Sequence, residues 1–313
     1  MKSIPRGRRH VAGLTLVELM IAMMLGLLVV GAAVGIFVSN SQAYRSTQNL
    51  GRIQETGQIA FEMMAKDIRE AGANPCDVTV PVANVILNPA TQWYTNWDLP
   101  VFGFDNGAMS GSLAGTDAIQ ILREGDDASM VKSHAGTTLT LDTHAHNVGD
   151  IAMVCDHRQI ALFKVASVGG TTTIGHESAG GNCSDLLGAA PAACAPTATY
   201  VYPANSVLSG LRAVRWYVAD NGRGGSSLYQ QLGSAAGQEV AEGVSDMQIA
   251  YLQPDVDPAN YVAASSLAAT DWAGVRAVQV VLTVDGPDAN AAVGGGPITR
   301  QIEHVVNLRS RTP

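Results

Sequence analysis

One run of 27 residues, "AGLTLVELMIAMMLGLLVVGAAVGIFV" (12–38), constrains this chain more than any other: it carries a single charged side chain, Glu18, directly behind the basic stretch "KSIPRGRRHV". As helix, residues 14–38 reach roughly 37 Å, enough to cross a hydrocarbon layer of about 30 Å. A cleaved secretory core is about 7–15 residues long and ends in a small-residue cleavage site, so the run is too long for that reading. Lys2, Arg6, Arg8 and Arg9 hold the N-terminal flank on the cytoplasmic side by the positive-inside rule, which sends everything beyond Val38 to the extracytoplasmic space.

Glu18 is the difficulty, because a carboxylate among lipid tails costs several kcal/mol unless it is neutralised or paired. Cleavage between Gly13 and Leu14 would create a new amino group four residues before it. The amino group of a neighbouring chain is a better partner than the chain's own when helices stagger in a bundle, and the acid then acts as an assembly register.

The segment "G-LTLVELMIAM", Gly13 to Met23, resembles the class III signal of type IV prepilins and type II secretion pseudopilins. That resemblance implies cleavage after Gly13 by a prepilin peptidase, methylation of Leu14, and pairing of Glu18 with an adjacent subunit's terminus. The stretch "RIQETGQIAFEMMAKDIREAG" (52–72) resembles the sequence that follows the anchor in the PilW family of minor pilins. More diffuse likeness to that family extends to 149–165, 211–230 and 302–310. The resemblance implies a pilin-like α+β fold, in which a long N-terminal helix packs on a mostly antiparallel sheet. It also implies other minor and major pilins and an inner-membrane assembly platform as partners. The implied location is the inner membrane, single-pass with the body in the periplasm, and then the pilus or cell surface.

The expected organisation is a leader at 1–13, a membrane and assembly half-helix at 14–38, an amphipathic half-helix at 39–72, and a β-rich body at 73–313. In the amphipathic half, Leu50, Ile53, Phe61, Met64 and Ile68 recur at helical spacing. Glu62 with Lys66 and Lys66 with Glu70 are i,i+4 pairs, Met63 and Met64 are expected in the core, and Gly72 and Pro75 stop the helix. Aromatic residues within 76–118 anchor irregular structure. Strands are predicted at 117–124, 137–143, 244–253, 275–284 and 298–308. One hairpin turns at His157-Arg158, and another turns at "DNGRGG", where Asn221-Gly222 supplies positive φ. The sheet is expected to place one face on the helix and the other against loops or solvent.

Four cysteines, Cys76, Cys155, Cys183 and Cys194, are too widely spaced for a CxxC motif and suit two disulfides in an exported chain. Three pairings are possible. The expected one joins Cys183 to Cys194 across a short loop and Cys76 to Cys155, tying the helix end to the body; buried free thiols are the alternative.

Removing the four leader cations from 19 basic residues leaves 15 against 27 acidic ones, a net of −12. Such a surface repels polyanions in bulk, which argues against nucleic-acid binding by charge but leaves local contact with DNA undecided. No GxxxxGK[ST] loop is present, so nucleotide is not an expected partner. His144 and His146 alternate at strand spacing, with His134 and His157 as remote candidates, yet no HExxH or cysteine pair completes a metal site. The acidic runs "DVDPAN" (255–260) and "EGDDAS" (124–129) match no full EF-hand spacing. No GxSxG elbow occurs. The reading is a non-enzymatic minor pilin without cofactor or metal, which joins or primes a type IV pilus. The alternatives are a minor pseudopilin of a type II secretion system, and a tip module that binds DNA or a surface and uses Trp93, Trp97, Trp216 or Trp272.

Overall fold

Helical periodicity and apolar content become one unbroken helix, α1 (Leu16–Arg69). The computed structural model describes residues 13, 15–76, 78–189, 194, 198–253, 260–288, 290–292 and 295–311. The leader 1–12, Leu14 and residues 255–259 of the "DVDPAN" run lie outside the described residues. After α1 come β1 (Val82–Asn84), β2 (Val101–Phe104), β3 (Ala118–Glu124), β4 (Ser129–Ala135), β5 (Thr138–Leu141), β6 (Ile151–Cys155), β7 (Ile160–Lys164) and β8 (Ser167–Gly169). These are followed by β9 (Thr173–Gly175), β10 (Val207–Asp220), β11 (Ser226–Leu232), β12 (Gln238–Glu242), β13 (Val244–Gln253), β14 (Asn260–Val262), β15 (Ala277–Asp285) and β16 (Thr299–Asn307).

The chain divides into two compact units, and α1 contributes to both: Met1–Gly51 with Asp288–Ile298, and Arg52–Pro287 with Thr299–Pro313. In the first, Ser46 Oγ of α1 donates to the Ala291 carbonyl at 3.3 Å.

In the second unit, Ile53, Gly57, Ala60, Met64, Ile68 and Ala71 form a buried stripe at three- and four-residue spacing. Its small residues allow close approach: a Cβ on Gly57 would run into the Ile302 side chain, and Val284 lies beside it. Phe61 stacks on His304, ring centroids 3.9 Å apart. Met64 is in the core as expected, but Met63 is 42% exposed, since one step along the helix turns it off the stripe. The helix stops in a tight turn, Ala71 N–H to the Ile68 carbonyl, and Gly72 follows at φ +70° with its N–H on the Leu122 carbonyl at 2.8 Å.

Two sheets complete this unit. The larger has the path β1-β7-β6-β10-β4-β5-β9-β8, with β3 and β11 also paired to β10, β2 to β3 and β12 to β11; the smaller is β14-β13-β15-β16. Among the described pairings only β1 with β7 is parallel, so the body is the mostly antiparallel one expected. The 14-residue β10 organises the larger sheet: Val207–Gly210 pairs with β6, and the stretch from Leu211 onward pairs with β3 on one side and β11 on the other.

The expectation left the second face of the sheet to loops or solvent, and at β6 and β7 it is buried. β6 and β7 are covered on both faces: Ala152, Val154, Ala161 and Phe163 enter one apolar cluster, while Met153, Cys155, Ile160 and Leu162 enter another. The first cluster is completed by Val131, Leu139 and Ile174 of β4, β5 and β9, and the second by Val80, Ile86 and Trp97 from the irregular stretch around β1, a contribution that strand alternation does not encode. The β10–β11 hairpin also differs from its expected turn. Its loop spans five residues, 221–225, closed by Asn221 N–H on the Gly225 carbonyl. Positive φ falls on Gly222 and Gly224 rather than Asn221, whose side chain instead accepts from Arg223 N–H at 2.9 Å.

Disulfides join Cys76 to Cys155 and Cys183 to Cys194. Their sequence separations of 79 and 11 residues correspond to about 4–5 and about 3 kcal/mol in the chain-entropy account. Cys183 N–H and Cys194 N–H donate to the Val85 and Asn84 carbonyls, so the shorter bridge straddles the chain just after β1.

The helix carries one charge into the core. Asp67 is 2% exposed, and its carboxylate meets Arg123 Nε at 3.1 Å, Arg212 Nε at 3.4 Å, Trp216 Nε1 at 3.1 Å and Gln230 Nε2 at 3.2 Å. Arg123 also reaches Glu70 at 3.0 Å and Asp126 at 3.4 Å. Burial works against the Arg123 charge, but the bond to Asp126, with Asp67 and Glu70, holds its pKa above the ordinary arginine value. The expected i,i+4 pairs are therefore not the ones formed: Glu70 turns to Arg123, Lys66 to Asp126 at 3.3 Å, and Glu62 accepts from Gln58. Asp67→Ala would remove the carboxylate between the two arginines and take the acceptor from Trp216 and Gln230, leaving Arg123 only the Glu70 and Asp126 carboxylates. Denaturant unfolding of the full chain in detergent is expected to show a loss of about 3–5 kcal/mol. Lys66→Ala, which breaks only an exposed pair, is expected to lose about 1 kcal/mol or less.

Candidate functional site

The N-terminal turn of α1 is organised by two residues. Thr15 Oγ1 accepts from Glu18 N–H at 3.2 Å, while Glu18 Oε2 accepts from Thr15 N–H and Thr15 Oγ1, each at 3.1 Å. This is a reciprocal capping box: it satisfies free amide donors of the first turn and sets an acid against the positive end of the helix dipole. The signal for it, T-x-x-E in "TLVE", is visible in the sequence, but the reading of Glu18 as an intermolecular partner passed over it. Gly13 has open space where a Cβ would stand. Leu14, the expected methylation site, lies outside the described residues.

From Leu16 to Val38 the helix presents its apolar side chains outward. An 18-residue window of α1 has mean hydropathy 2.7, and none of it is buried. By length and composition this helix is able to cross a membrane. Gly31 and Gly35 stand four apart with open space around both, a G-x-x-x-G spacing that lets helices approach closely in lipid. That spacing is local and visible in the sequence.

Two acids of the body are engaged internally. Asp126 is taken by Lys66 and Arg123, and Asp127 accepts from Gly210 N–H and faces His146 Nδ1, so both aspartates of "EGDDAS" are already committed. His144 and His146 do share a face, rings stacked at 5.9 Å. No cluster of three or more His, Cys, Asp or Glu able to hold a metal gathers among the described residues. Trp216 and Trp272 are buried; Trp93 and Trp97 are half-buried, the former under the Arg215 guanidinium at 4.2 Å. All four serve packing, and none forms an exposed stacking platform.

His134 meets a partner that spacing did not suggest. Its Nδ1 accepts from Tyr202 N–H at 3.0 Å, so its proton sits on Nε2 and is donated to His176 Nε2 at 2.9 Å. His176 then carries its own proton on Nδ1, a buried atom with no hydrogen-bond partner. Burial lowers both pKa values; for His176, with repulsion from His134 added and only partly opposed by Glu177 and Asp185, the value falls to about 4.

Two stretches of the chain match known families. Residues 8–34 match the prokaryotic N-terminal methylation motif, and residues 215–302 match the family described as Type IV Pilus-assembly protein W. The second match runs from the middle of β10 into β16. No curated protein and no solved structure matches the chain. The chain thus combines a prepilin-type N-terminal signal, a helix of membrane-spanning length and an α+β body that is similar over part of its length to a pilus-assembly family.

The histidine pair yields a pH dependence of defined sign. Both rings are neutral in the fold, whereas an unfolded histidine takes a proton near pH 6.5. Stability contributed by the pair is therefore complete above that value and is lost as pH falls toward about 4. Asp117, whose pKa is raised chiefly by burial, acts in the opposite sense. Urea midpoints of the wild type and His176→Phe, compared from pH 7 to pH 4.5, are expected to show a shallower decline in the variant.

Proposed function

We propose that this chain is a minor pilin that joins or primes assembly of a type IV pilus and performs no catalysis. The observation that carries the reading is the coincidence of Gly13, an acid five residues later and an outward apolar helix, in a chain whose 215–302 segment matches a pilus-assembly family. In this reading prepilin peptidase cuts after Gly13, Leu14 is methylated, residues 14–38 form the membrane and assembly half of the helix, and 73–313 form the periplasmic body. Other minor and major pilins and the inner-membrane assembly platform are its partners.

The capping box gives Glu18 a local role before assembly, since Thr15 supplies hydrogen bonds but no positive charge. The terminal amine of the next subunit would add the missing counter-charge, so the acid favours packed helices over isolated ones. Gly31 and Gly35 would let neighbouring helices come close during lateral packing. The match at 215–302 favours the pilus over a type II secretion pseudopilus, which uses the same N-terminal logic.

Changing Gly13 to a bulky residue is expected to leave the leader attached, seen as an unprocessed band; normal maturation would defeat the cleavage assignment. Glu18→Ala is expected to insert in the membrane yet be depleted from sheared filaments. Incorporation at wild-type level would count against pairing through this acid.

A further inference from the structure

The apolar run ends at Val38, and a groove opens just beyond it. Phe37, Ser41, Gln42 and Arg45 of α1, together with Asn290 and Ala291, line a space of about 280 Å³. All of these residues belong to the same compact unit, and the Ser46 bond to the Ala291 carbonyl holds Ala291 on the helix there. One end of the groove is apolar, with Phe37 74% exposed; the other is cationic. Arg45 is exposed and engages no carboxylate among the described residues. Beside it Tyr44 is 70% exposed, an aromatic with a polar tip of the kind that settles at a membrane–water boundary.

We infer that this groove seats the headgroup of an anionic phospholipid in the extracytoplasmic leaflet. Arg45 engages the phosphate, Ser41, Gln42 and Asn290 contact the polar headgroup, and Phe37 lies against the upper acyl chain. The inference rests on the proposed reading of α1 as membrane-spanning. Arg45 lies seven residues past Val38, about 10 Å along the helix axis. The headgroup region adds about 5–8 Å on each side of the hydrocarbon, so a long side chain there reaches back to phosphate depth. A guanidinium presents a planar fork that matches phosphate oxygens. An acidic protein partner could also meet an exposed arginine, but it would not account for an apolar groove end continuous with the lipid-like face of the helix.

The full chain would be reconstituted in nanodiscs of phosphatidylcholine with phosphatidylglycerol, then released into detergent, and the lipid it retains read by native mass spectrometry. Wild type is expected to retain phosphatidylglycerol over phosphatidylcholine. Arg45→Gln should reduce that preference about fivefold, the effect of one basic residue at an anionic surface. Arg52→Gln, an exposed arginine of α1 outside the groove, should leave it unchanged. Equal retention of the two lipids, or equal losses in the two variants, would overturn the site. Displacement of lipid by excess inorganic phosphate would replace the lipid with free phosphate as occupant and would likewise overturn it. Carbonate extraction of the same protein from membranes separates the two levels: an extractable chain defeats the membrane-spanning reading itself, whereas an inserted chain without lipid preference defeats only the groove.

Discussion

Asp67 decides how helix and sheet can be put together. Arg123 and Arg212 occupy directly opposed positions on β3 and β10, an arrangement of like charges that is unfavourable on its own. A single carboxylate from α1 lies between their Nε atoms and also takes hydrogen bonds from Trp216 and Gln230. Three strands are thereby tied to one residue of one helical turn. The rotation of the helix about its axis and its position along the sheet are both set, because a shift of one residue would present Lys66 or Ile68 to the arginines. Apolar contacts at Ile53, Ala60 and Met64 tolerate more variation, so specificity comes from the buried charge and bulk stability from its neighbours.

Much of the outline was readable from residue order. The 14–38 run, the amphipathic continuation, the stop at Gly72 and the later strands all follow from periodicity and turn chemistry. β13 coincides with the predicted 244–253, and β15 and β16 fall within two residues of their expected starts. The unread parts share a cause: they depend on residues far apart in sequence. Asp67 looks like one more polar residue beside Ile68 until Arg123 and Arg212 come under it, 56 and 145 positions away. His134 and His176, separated by 42 residues, are joined by pairing of β4, β5 and β9. The burial of β6 and β7 on both faces likewise depends on loops whose composition announces turns but not where they settle. By contrast, the Thr15–Glu18 box and the Gly31–Gly35 spacing are local and were open to direct reading.

The two family matches lie at the N-terminal signal and across β10 to β16. The stretch between them, which includes β1 to β9, contains the histidine pair, both disulfides and the loops that cover the second face of the larger sheet. The likeness to the pilus-assembly family thus covers the second half of β10 and the chain from there into β16. The stretch before it meets β10 by strand pairing, through β6 and β4, while both disulfides close within that stretch.

The Cys76–Cys155 bond has a mechanical consequence. Tension drawn along α1 leaves the helix at Gly72 and within a few residues reaches a covalent link to the end of β6, a strand held between β7 and β10. The 78 residues from Asp77 to Val154 are thereby taken off the load-bearing path. Under traction the body would resist as a clamped block, and its intervening strands and loops would be shielded from the unravelling that a pull at one end of an uncrosslinked chain would begin.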